Sequence, residues 1–326
     1  MNSLISVSDA ALLIRDGLSL SIAGEESCLD RLPTGRWVGG TIPYFMAPEG
    51  GLKTKDRVFV TQLPESGATS FAHYPTDRLE GLVANAPANG FSLAIVPAFS
   101  RAHARFAQDC RSYEDAFLKP TVGWIAGIDL DDFGKRTPKI YDGMTGRKYE
   151  DGAVVAYVSL PSSQLASIDI VNIFEPDGVD VLRFDKPGFS ASACLVNGKS
   201  VKLAAYLAER GNAVGRLPLV GDFAGAHANV SFQSIDAQSG EVKLYAPVFP
   251  DVEYWLARPV GDYARTLNDK LHAMEDVQVA FSCNCILNYV YGELEGKKVG
   301  RLSGPMTFGE IGYQLLNQTF VALRID

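Results

Sequence analysis

Short apolar runs separated by turn-rich polar segments dominate the sequence, and only a few stretches have helical spacing. Phe91–Val96 and Thr121–Ile128 are two such runs, each of the length expected for a buried strand. Between them, apolar residues recur three or four positions apart after Ser100, a residue type that caps helices, and this predicts a helix. The residues on its apolar face are Phe106, Cys110, Tyr113 and Phe117.

The second half of the chain continues this alternation of strand-like and helix-like segments. A helix is predicted over Asp262–Glu275, and the apolar run Val277–Ser282 predicts a strand that leads directly into Cys283. Helical spacing resumes at Leu287 and ends before Gly296. Four earlier apolar runs also predict strands: Leu217–Phe223, Val230–Ser234, Val242–Val248 and Glu253–Ala257. Alternating strands and helices place the chain in the α/β class.

The sequence contains a weak internal repeat. The segment beginning at Trp37, Trp-Val-Gly-Gly, recurs as Trp-Ile-Ala-Gly beginning at Trp124, and Arg57–Pro64 recurs loosely as Val154–Pro161. We therefore expect two related α/β lobes with mixed sheets and flanking helices. Turn signals concentrate after Pro161, which predicts an N-terminal lobe over residues 1–165 and a C-terminal lobe over residues 166–326.

Length and charge narrow the class of protein. The chain has 326 residues, enough for about two domains. Its net charge of −8 and the absence of a basic stripe argue against nucleic acid and anionic membranes as partners. The number of cysteines, five, is odd and the first three are scattered, so a disulfide framework is not expected, and the N-terminal residues do not resemble a signal peptide. These features predict a cytoplasmic protein.

Cys283, Asn284 and Cys285 form the most suggestive chemical segment, because they lie where a predicted strand ends and a helix begins. Ligands of α/β proteins usually bind at that edge of the sheet. The free N–H groups of a helix start also favour an anion or a thiolate. Plain packing, ligand contact, nucleophilic catalysis and metal binding are the four interpretations, and the Cys-x-Cys spacing is poor evidence for the last.

His227 is the best histidine candidate for a ligand contact. It lies in a run of small residues after a predicted strand, and such a loop lets a partner approach closely. A solvent-facing loop histidine is the alternative interpretation. His73, His103 and His272 have no neighbours in the sequence that recommend them.

The C-terminal stretch places a carboxylate among apolar residues. Glu310 follows Thr307 and Gly309 and precedes a closing apolar strand, so burial without a partner would be costly. We expect Glu310 either to accept hydrogen bonds from backbone N–H groups or to face a ligand. Glycine at 309 leaves the backbone bare enough for a partner to come close.

Common catalytic and cofactor motifs are absent from the sequence. It has no phosphate-binding loop, no dinucleotide-binding glycine pattern, no nucleophile elbow and no zinc-protease helix. We therefore predict no cofactor, no metal ion and no catalytic residue as the first interpretation.

With these residues in view, the C-terminal half resembles the FIST sensory-domain family. The resemblance covers about Leu217–Asp326 and rests on three pieces: Phe-Ser-Cys ending at Cys283, Gly-Pro-Met-Thr-Phe-Gly-Glu-Ile ending at Ile311, and Asn-Gln-Thr at 317–319. It implies a cytoplasmic α/β module that senses small molecules such as amino acids or small acids. A stand-alone sensor of this kind would need a separate signalling partner protein.

The first functional hypothesis is therefore a ligand-sensing protein in intracellular signal transduction, with a cleft between the lobes. An enzyme with a nucleophile at Cys283 or Cys285 and an interaction protein without a pocket are the two alternatives. The candidate ligand-binding residues are Trp37, Gly40, Thr41, His227, Cys283, Asn284, Cys285, Thr307, Gly309 and Glu310.

Overall fold

A computed structural model describes residues 1–212, 215–272, 278–300 and 303–326. The strands are β1 (Asn2–Ser6), β2 (Leu20–Gly24), β3 (Trp37–Thr41), β4 (Tyr44–Ala47), β5 (Gly50–Lys53), β6 (Arg57–Gln62), β7 (Thr69–Tyr74), β8 (Gly90–Pro97), β9 (Thr121–Ala126), β10 (Ile140–Asp142), β11 (Arg147–Tyr149), β12 (Ala153–Ser159), β13 (Ala166–Asn172), β14 (Leu182–Arg183), β15 (Gly188–Ala191), β16 (Ala193–Val196), β17 (Lys199–Lys202), β18 (Leu219–Phe223), β19 (Ala226–Val230), β20 (Phe232–Ile235), β21 (Val242–Val248), β22 (Glu253–Leu256), β23 (Val279–Cys285), β24 (Gly304–Thr307), β25 (Glu310–Gly312), β26 (Gln314–Leu316) and β27 (Thr319–Ile325).

The α-helices are short and fewer than the strands. They are α1 (Val7–Arg15), α2 (Glu26–Leu29), α3 (Gly81–Ala84), α4 (Arg101–Asp109), α5 (Leu203–Glu209), α6 (Tyr263–His272) and α7 (Ile286–Tyr291). Three further segments, Thr76–Arg78, Cys110–Ser112 and Leu130–Asp132, are 3₁₀ helices. In the described residues, no helix combines the length and the apolar character needed to span a membrane.

Three sheets share one strand arrangement. Their spatial orders begin β1-β6-β2-β3, β7-β12-β8-β9 and β13-β27-β23-β24. In each order the first three strands are antiparallel neighbours and the last two are a parallel pair. A helix joins the two strands of each parallel pair, namely α2, α4 and α7. We call these the first, second and third units.

The units exchange hairpins in a cycle. After each parallel pair, the chain forms a hairpin that extends the sheet of a neighbouring unit. The hairpin β4–β5 of the first unit pairs with β24, β10–β11 of the second unit pairs with β3, and β25–β26 of the third unit pairs with β9. Hydrogen-bonded ladders therefore tie all three units together.

A long insertion between β13 and β23 builds the rest of the molecule. Its strands form a six-stranded sheet, β17-β16-β14-β22-β18-β19, and a three-stranded sheet, β15-β21-β20. Buried residues of this insertion pack in one cluster with residues of α4 and the second unit, such as Phe106, Ile125 and Val155. The insertion thereby covers one side of the second unit.

One apolar core connects the three units. It contains buried residues from each unit, including Phe59, Trp124 and Phe281. Adjacent strands approach closely within it, and at Gly123 (φ +155°) an added Cβ would lie 1.8 Å from the Ala94 carbonyl oxygen. Glycine is therefore required where β8 and β9 run side by side.

The structure confirms the α/β class with mixed sheets, and its few helices flank the sheets sparsely. The internal repeat is also real. Its tryptophan segments lie in β3 and β9, and its second pair of segments lies in β6 and β12, which hold equivalent places in the sheets of the first and second units. These copies both lie within residues 1–165, so the related units are smaller than the predicted lobes. The boundary at residue 165 stays a prediction, and sheets formed by strands from both sides of it cross that position.

The predicted helix after Ser100 is confirmed in position but is shorter than expected. The Ser100 hydroxyl accepts a hydrogen bond from the His103 N–H, and α4 ends at Asp109. Phe117 lies beyond the helix and is 55% exposed, so its placement on the buried face was wrong. The predicted helix Asp262–Glu275 is described as α6, and residues 273–275 lie outside the described residues.

Candidate functional site

The N-terminal candidates pack inside the sheets. Trp37 is buried, its indole N–H donates to the Pro33 carbonyl at 2.9 Å, and its ring stacks on Tyr141. A Cβ at Gly40 would lie 2.8 Å from side-chain atoms of Ile95 and Trp124. Glycine at this position therefore allows the first and second units to pack closely. Neither residue lines the cavity described below, and the binding role of both stays a prediction.

Thr41 fixes a junction between the first and second units. Its hydroxyl donates to the Gly127 carbonyl at 2.7 Å and accepts from the Lys139 N–H at 2.9 Å. The Thr41 carbonyl in turn accepts from the Gly127 N–H. With every polar group of Thr41 used in this junction, its predicted ligand contact is replaced by a structural role.

The Cys-Asn-Cys segment lies where the sequence placed it, at the end of β23 and the start of α7. Cys283 is fully buried, and its thiol donates to the Gly123 carbonyl at 3.2 Å. The Asn284 side-chain oxygen accepts from the Asn288 amide at 2.7 Å. Cys283 and Asn284 border a void of only about 10 Å³, room for about one water molecule and no ligand.

Glu310 is fully buried and has the hydrogen-bond partner that the sequence required. Its Oε2 accepts from the Thr319 hydroxyl at 2.6 Å and from the Thr319 N–H at 3.2 Å. Its Oε1 has no partner with hydrogen-bond geometry among the described residues, and the Cys285 thiol is a further polar group that interacts with the carboxyl. Burial raises the pKa of Glu310 to about 8, so the carboxyl is largely protonated at neutral pH.

Thr307 and Gly309 shape the turn that delivers Glu310. The Thr307 hydroxyl lies within hydrogen-bond distance of the Asn284 carbonyl (3.2 Å) and the Gly309 carbonyl (2.9 Å). Gly309 has φ +149°, and an added Cβ would lie 3.1 Å from Ile125. Both residues therefore support the structure of the third unit, and neither lines the cavity described below.

His227 lies away from these residues. It is an exposed residue of β19, paired in register with Asp222, and not a loop residue as the sequence suggested. The small residues around it belong to a tight hairpin instead, with Ala224 at φ 57° and Gly225 at φ 91°. Nothing in its surroundings distinguishes it from a solvent-facing strand residue.

A buried polar network surrounds the Asn-Gln-Thr triplet. Asn317 Oδ1 accepts from the Ser231 N–H at 2.9 Å and lies 2.5 Å from the Ser231 hydroxyl. Asn229 donates to the carbonyls of Asn317 and Gln318 at 3.2 Å. These bonds join the insertion to the third unit and orient the Asn317 amide, whose Nδ2 has no partner among the described residues.

A cavity of about 530 Å³ lies beside this network. Its wall comes from the connection after β8 and the start of α4, the segments after β9, β24 and β26, the end of β23 with α7, and strands β20 and β21. The lining residues are Ala98, Phe99, His103, Leu130, Phe133, Gln233, Ser234, Lys243, Tyr245, Cys285, Ile286, Leu287, Val290, Tyr291, Phe308 and Asn317. The cavity thus opens at the carboxyl ends of two parallel strand pairs. Of the ten sequence-predicted site residues, Cys285 alone is in this wall.

The wall is mainly apolar and carries a few polar groups. Burial lowers the pKa of His103 to about 4, so its imidazole is neutral. His103 Nδ1 accepts from the Phe99 N–H at 3.3 Å, which leaves the proton on Nε2, a buried donor without a described partner. Burial also raises the pKa of Tyr245 to about 12, so its hydroxyl stays protonated.

Apolar side chains form the mouth of the cavity. Phe99 and Phe133 are each about half exposed, and their rings meet edge to face at 5.4 Å. Phe99 also has φ 63°, a backbone conformation that is uncommon for a bulky residue. This conformation accompanies the hydrogen bond from its N–H to His103. Local strain of this kind often accompanies a functional site.

Ion pairs form in the segment after β9, directly before the wall residue Leu130. Asp129 is buried, and its carboxylate meets Lys53 at 2.7 Å and Lys55 at 2.5 Å. Although burial opposes ionisation, these ammonium groups hold the pKa of Asp129 below its usual value. Its acidic neighbours Asp131 and Asp132 are paired with the same two lysines, so the cluster needs no cation.

The sequence does not mark His103 or most of the cavity wall as functional. The wall is assembled from segments far apart in the chain, such as Phe99, Tyr245 and Phe308, and no local motif marks them. One usable signal was the capping Ser100, which fixes the first turn of α4 and hence the position of His103. The Asn-Gln-Thr triplet at 317–319 is visible in the sequence, but the orientation of the Asn317 amide depends on Ser231, which is distant in the sequence.

Comparison with known proteins assigns a family but no activity. The model of the family described as "Family of unknown function (DUF6976)" matches residues 5–326, so the chain belongs to this family. No curated protein and no solved structure matches the chain. These comparisons do not test the FIST resemblance, which stays a prediction from the C-terminal residues.

Proposed function

We propose that this chain, a member of a family without an assigned function, is a small-molecule-binding protein whose ligand occupies the 530 Å³ cavity. Two features support the location. The volume lies in the range of about 300–1,000 Å³ that is typical of ligand sites. The cavity also lies at the carboxyl ends of parallel strands, where ligands of α/β sheets usually bind.

The observation that carries the proposal is the pair of buried donors without partners in the residues of this wall. His103 Nε2 and Asn317 Nδ2 both belong to lining residues, and neither has a hydrogen-bond partner among the described residues. An unsatisfied buried donor costs about 1–3 kcal/mol. A bound molecule with acceptor atoms would recover that free energy, and the apolar wall would cover the remainder of the molecule.

The proposed role is that of an intracellular sensor. The ligand would touch the second unit, the third unit and the three-stranded sheet at once, so occupancy would link elements that are otherwise separate. Five free, buried cysteines suit the reducing cytoplasm. In this proposal the ligand is an amino acid or small acid, and a separate partner protein receives the signal.

The enzyme alternative lacks a supporting observation. A cysteine nucleophile needs a thiolate at neutral pH, but burial raises the pKa of both Cys283 and Cys285 well above the usual value. The carboxyl of Glu310 adds to this effect at both thiols, because a negative charge there would disfavour a thiolate nearby. The interaction-protein alternative requires a molecule without a pocket, and the cavity does not support it.

A ligand screen with a cavity-blocking variant tests the proposal. Amino acids, small acids, amines and neutral aromatic compounds are screened for a rise in melting temperature. A ligand at one hundred times its Kd adds about 2.7 kcal/mol to the free energy of unfolding. Val290 lies at the mouth and is 42% exposed, so Val290→Trp should abolish the stabilisation without disturbing the core.

The matched control is Val179→Trp, at an exposed valine outside the cavity wall. This control should bind like the unmodified protein. The proposal fails if no compound in the panel stabilises the protein, or if the Val290→Trp variant binds every hit as well as the control does.

A further inference from the structure

We propose that the ligand is an apolar molecule with a single carboxylate, and that an amino acid is disfavoured. This inference rests on the proposed function and narrows it to one chemical class. It is drawn from the kinds of polar groups that the cavity wall offers and from those that it lacks.

Two residues of the wall each carry a buried hydrogen-bond donor that has no partner among the described residues. The Asn317 amide is oriented by Ser231, whose N–H and hydroxyl both face Oδ1, so the free group is the NH₂. The His103 ring is held by the Phe99 N–H at Nδ1, so the free group is Nε2–H. A carboxylate offers two acceptor oxygens to such donors, and hydrogen bonds to a charged acceptor are the stronger ones.

The charged side chain in the cavity wall itself favours an anion over a cation. None of the described residues that line the cavity is an aspartate or a glutamate. Lys243 is in the wall, with Glu241 as its ion-pair partner at a loose 3.9 Å. Arg216 lies close enough to Tyr291 to lower the pKa of that phenol, against the larger effect of burial. Glu310 interacts with Cys285 but is not in the wall.

An ammonium group would find no counter-charge in this wall. The acceptors available among the lining residues are neutral, such as the side chains of Gln233 and Ser234. Taking an ammonium out of water without a charged partner is costly. Binding of a zwitterionic amino acid would include this desolvation cost, and binding of a simple carboxylic acid of the same shape would not.

The rest of the wall suits an apolar body. Ile286, Leu287 and Phe308 lie within it, and Phe99 and Phe133 present partly exposed rings at the mouth. Covering these rings with an aryl or alkyl group removes apolar surface from water at about 25 cal/mol per Å².

Four compounds that share one phenylpropyl body test the inference by calorimetric titration of the full chain. They are 3-phenylpropanoate, its methyl ester, 3-phenylpropylamine and phenylalanine. We expect 3-phenylpropanoate to bind at least about tenfold more tightly than each of the other three, since losing a hydrogen bond to a charged group or desolvating an unpaired ammonium costs at least that factor.

Two conservative variants locate the carboxylate. His103→Asn keeps an acceptor for the Phe99 N–H and removes the Nε2 donor, and Asn317→Asp keeps the acceptor for Ser231 and places a negative charge where the NH₂ was. Each should weaken 3-phenylpropanoate about tenfold or more, and Asn317→Asp should also improve binding of the amine. His73→Asn is the matched control, because His73 also has a buried, unpartnered Nε2 but lies outside this cavity.

The outcomes separate this inference from the proposed function. If the amine, the ester or phenylalanine binds as tightly as the acid, or if neither variant weakens the acid, the ligand class is wrong while the cavity remains a binding site. In another outcome, none of the four compounds binds, while a compound of another class binds the unmodified protein and does not bind the Val290→Trp variant. In that case the proposed ligand class is wrong and the proposed function still holds. If no compound of any class depends on Val290, the proposed function fails as well.

Discussion

At the scale of single residues, three of the buried polar atoms that lack a hydrogen-bond partner belong to residues in or next to the cavity wall. Glu310 Oε1, Asn317 Nδ2 and His103 Nε2 have no hydrogen-bond partner among the described residues, although most buried polar groups in proteins do. The last two belong to residues of the cavity wall, and Glu310 interacts with Cys285, which is also in the wall. Hydrogen bonds to these three atoms would have stabilised the fold, and the described residues do not form them.

Glu310 should make the stability of the protein depend on pH. Its folded pKa of about 8 lies above the usual value of 4.5, so the folded state binds more protons between these values. Stability should therefore fall as pH rises from about 5 to 8, by up to about 1.4 kcal/mol per pH unit from this group. Glu310→Gln keeps an acceptor for Thr319 and should remove this contribution, as measured by urea unfolding across the range.

The exposed Glu209 supplies the control, since Glu209→Gln should leave the pH profile of the unmodified protein unchanged. A constant difference in stability between Glu310→Gln and the unmodified protein at every pH would show that Glu310 is already ionised throughout the range.

The thiols of Cys283 and Cys285 should react slowly. Burial raises the pKa of both, so little thiolate is present at neutral pH. Peptide mapping after iodoacetamide treatment at pH 7.5 should show much slower labelling than in the urea-unfolded chain. Cys285 should label faster than Cys283, because only Cys285 borders the large cavity. Rapid labelling of either thiol in the folded protein would favour the nucleophile hypothesis instead.

At the scale of elements, glycines decide how closely the strands pack. Gly40→Ala would place a methyl group 2.8 Å from Ile95 and Trp124, between the first and second units. Overpacking of this kind costs about 1–3 kcal/mol, so the free energy of unfolding should fall by that amount. Affinity for any cavity ligand should stay unchanged, because Gly40 is not in the wall.

Gly261→Ala is the matched control for this substitution. An added Cβ there meets nothing within 4 Å, so stability should change little. A loss of ligand affinity in Gly40→Ala at unchanged stability would restore Gly40 to the binding site that the sequence suggested.

Elements were more predictable than contacts. Strands such as β8, β9 and β12 follow apolar runs that are evident in the sequence. The chain leaves the sheet of β3 for that of β4 at Pro43, a residue that has no N–H for a strand ladder. The exchange of hairpins between units leaves no local trace, because it depends on which sheet edge each hairpin meets. The partner of Thr41 was equally hard to predict, because its hydroxyl donates to the Gly127 carbonyl, 86 residues along the chain.

At the scale of the whole molecule, the exchanged hairpins should make the three units one cooperative structure. Strands β4–β5 complete the sheet of the third unit, and β25–β26 complete that of the second. Residues 1–165 alone would leave β9 with an open edge and would lack the walls formed by Tyr245 and Cys285. We expect this fragment to show no cooperative thermal unfolding and no ligand binding.

The full chain should unfold in a single transition whose midpoint is the same by circular dichroism and by tryptophan fluorescence. Two separate transitions, or a cooperative fragment of residues 1–165, would instead support two independent lobes with a boundary at residue 165.

The placement of a ligand in the cavity is tested most directly by crystallography with a heavy-atom label. Crystals soaked in 3-(4-bromophenyl)propanoate should give one strong anomalous bromine peak among Phe99, Phe133 and Phe308, with the carboxylate directed to His103 and Asn317. A bromine peak only outside this cavity, or a carboxylate directed away from both donors, would contradict the account.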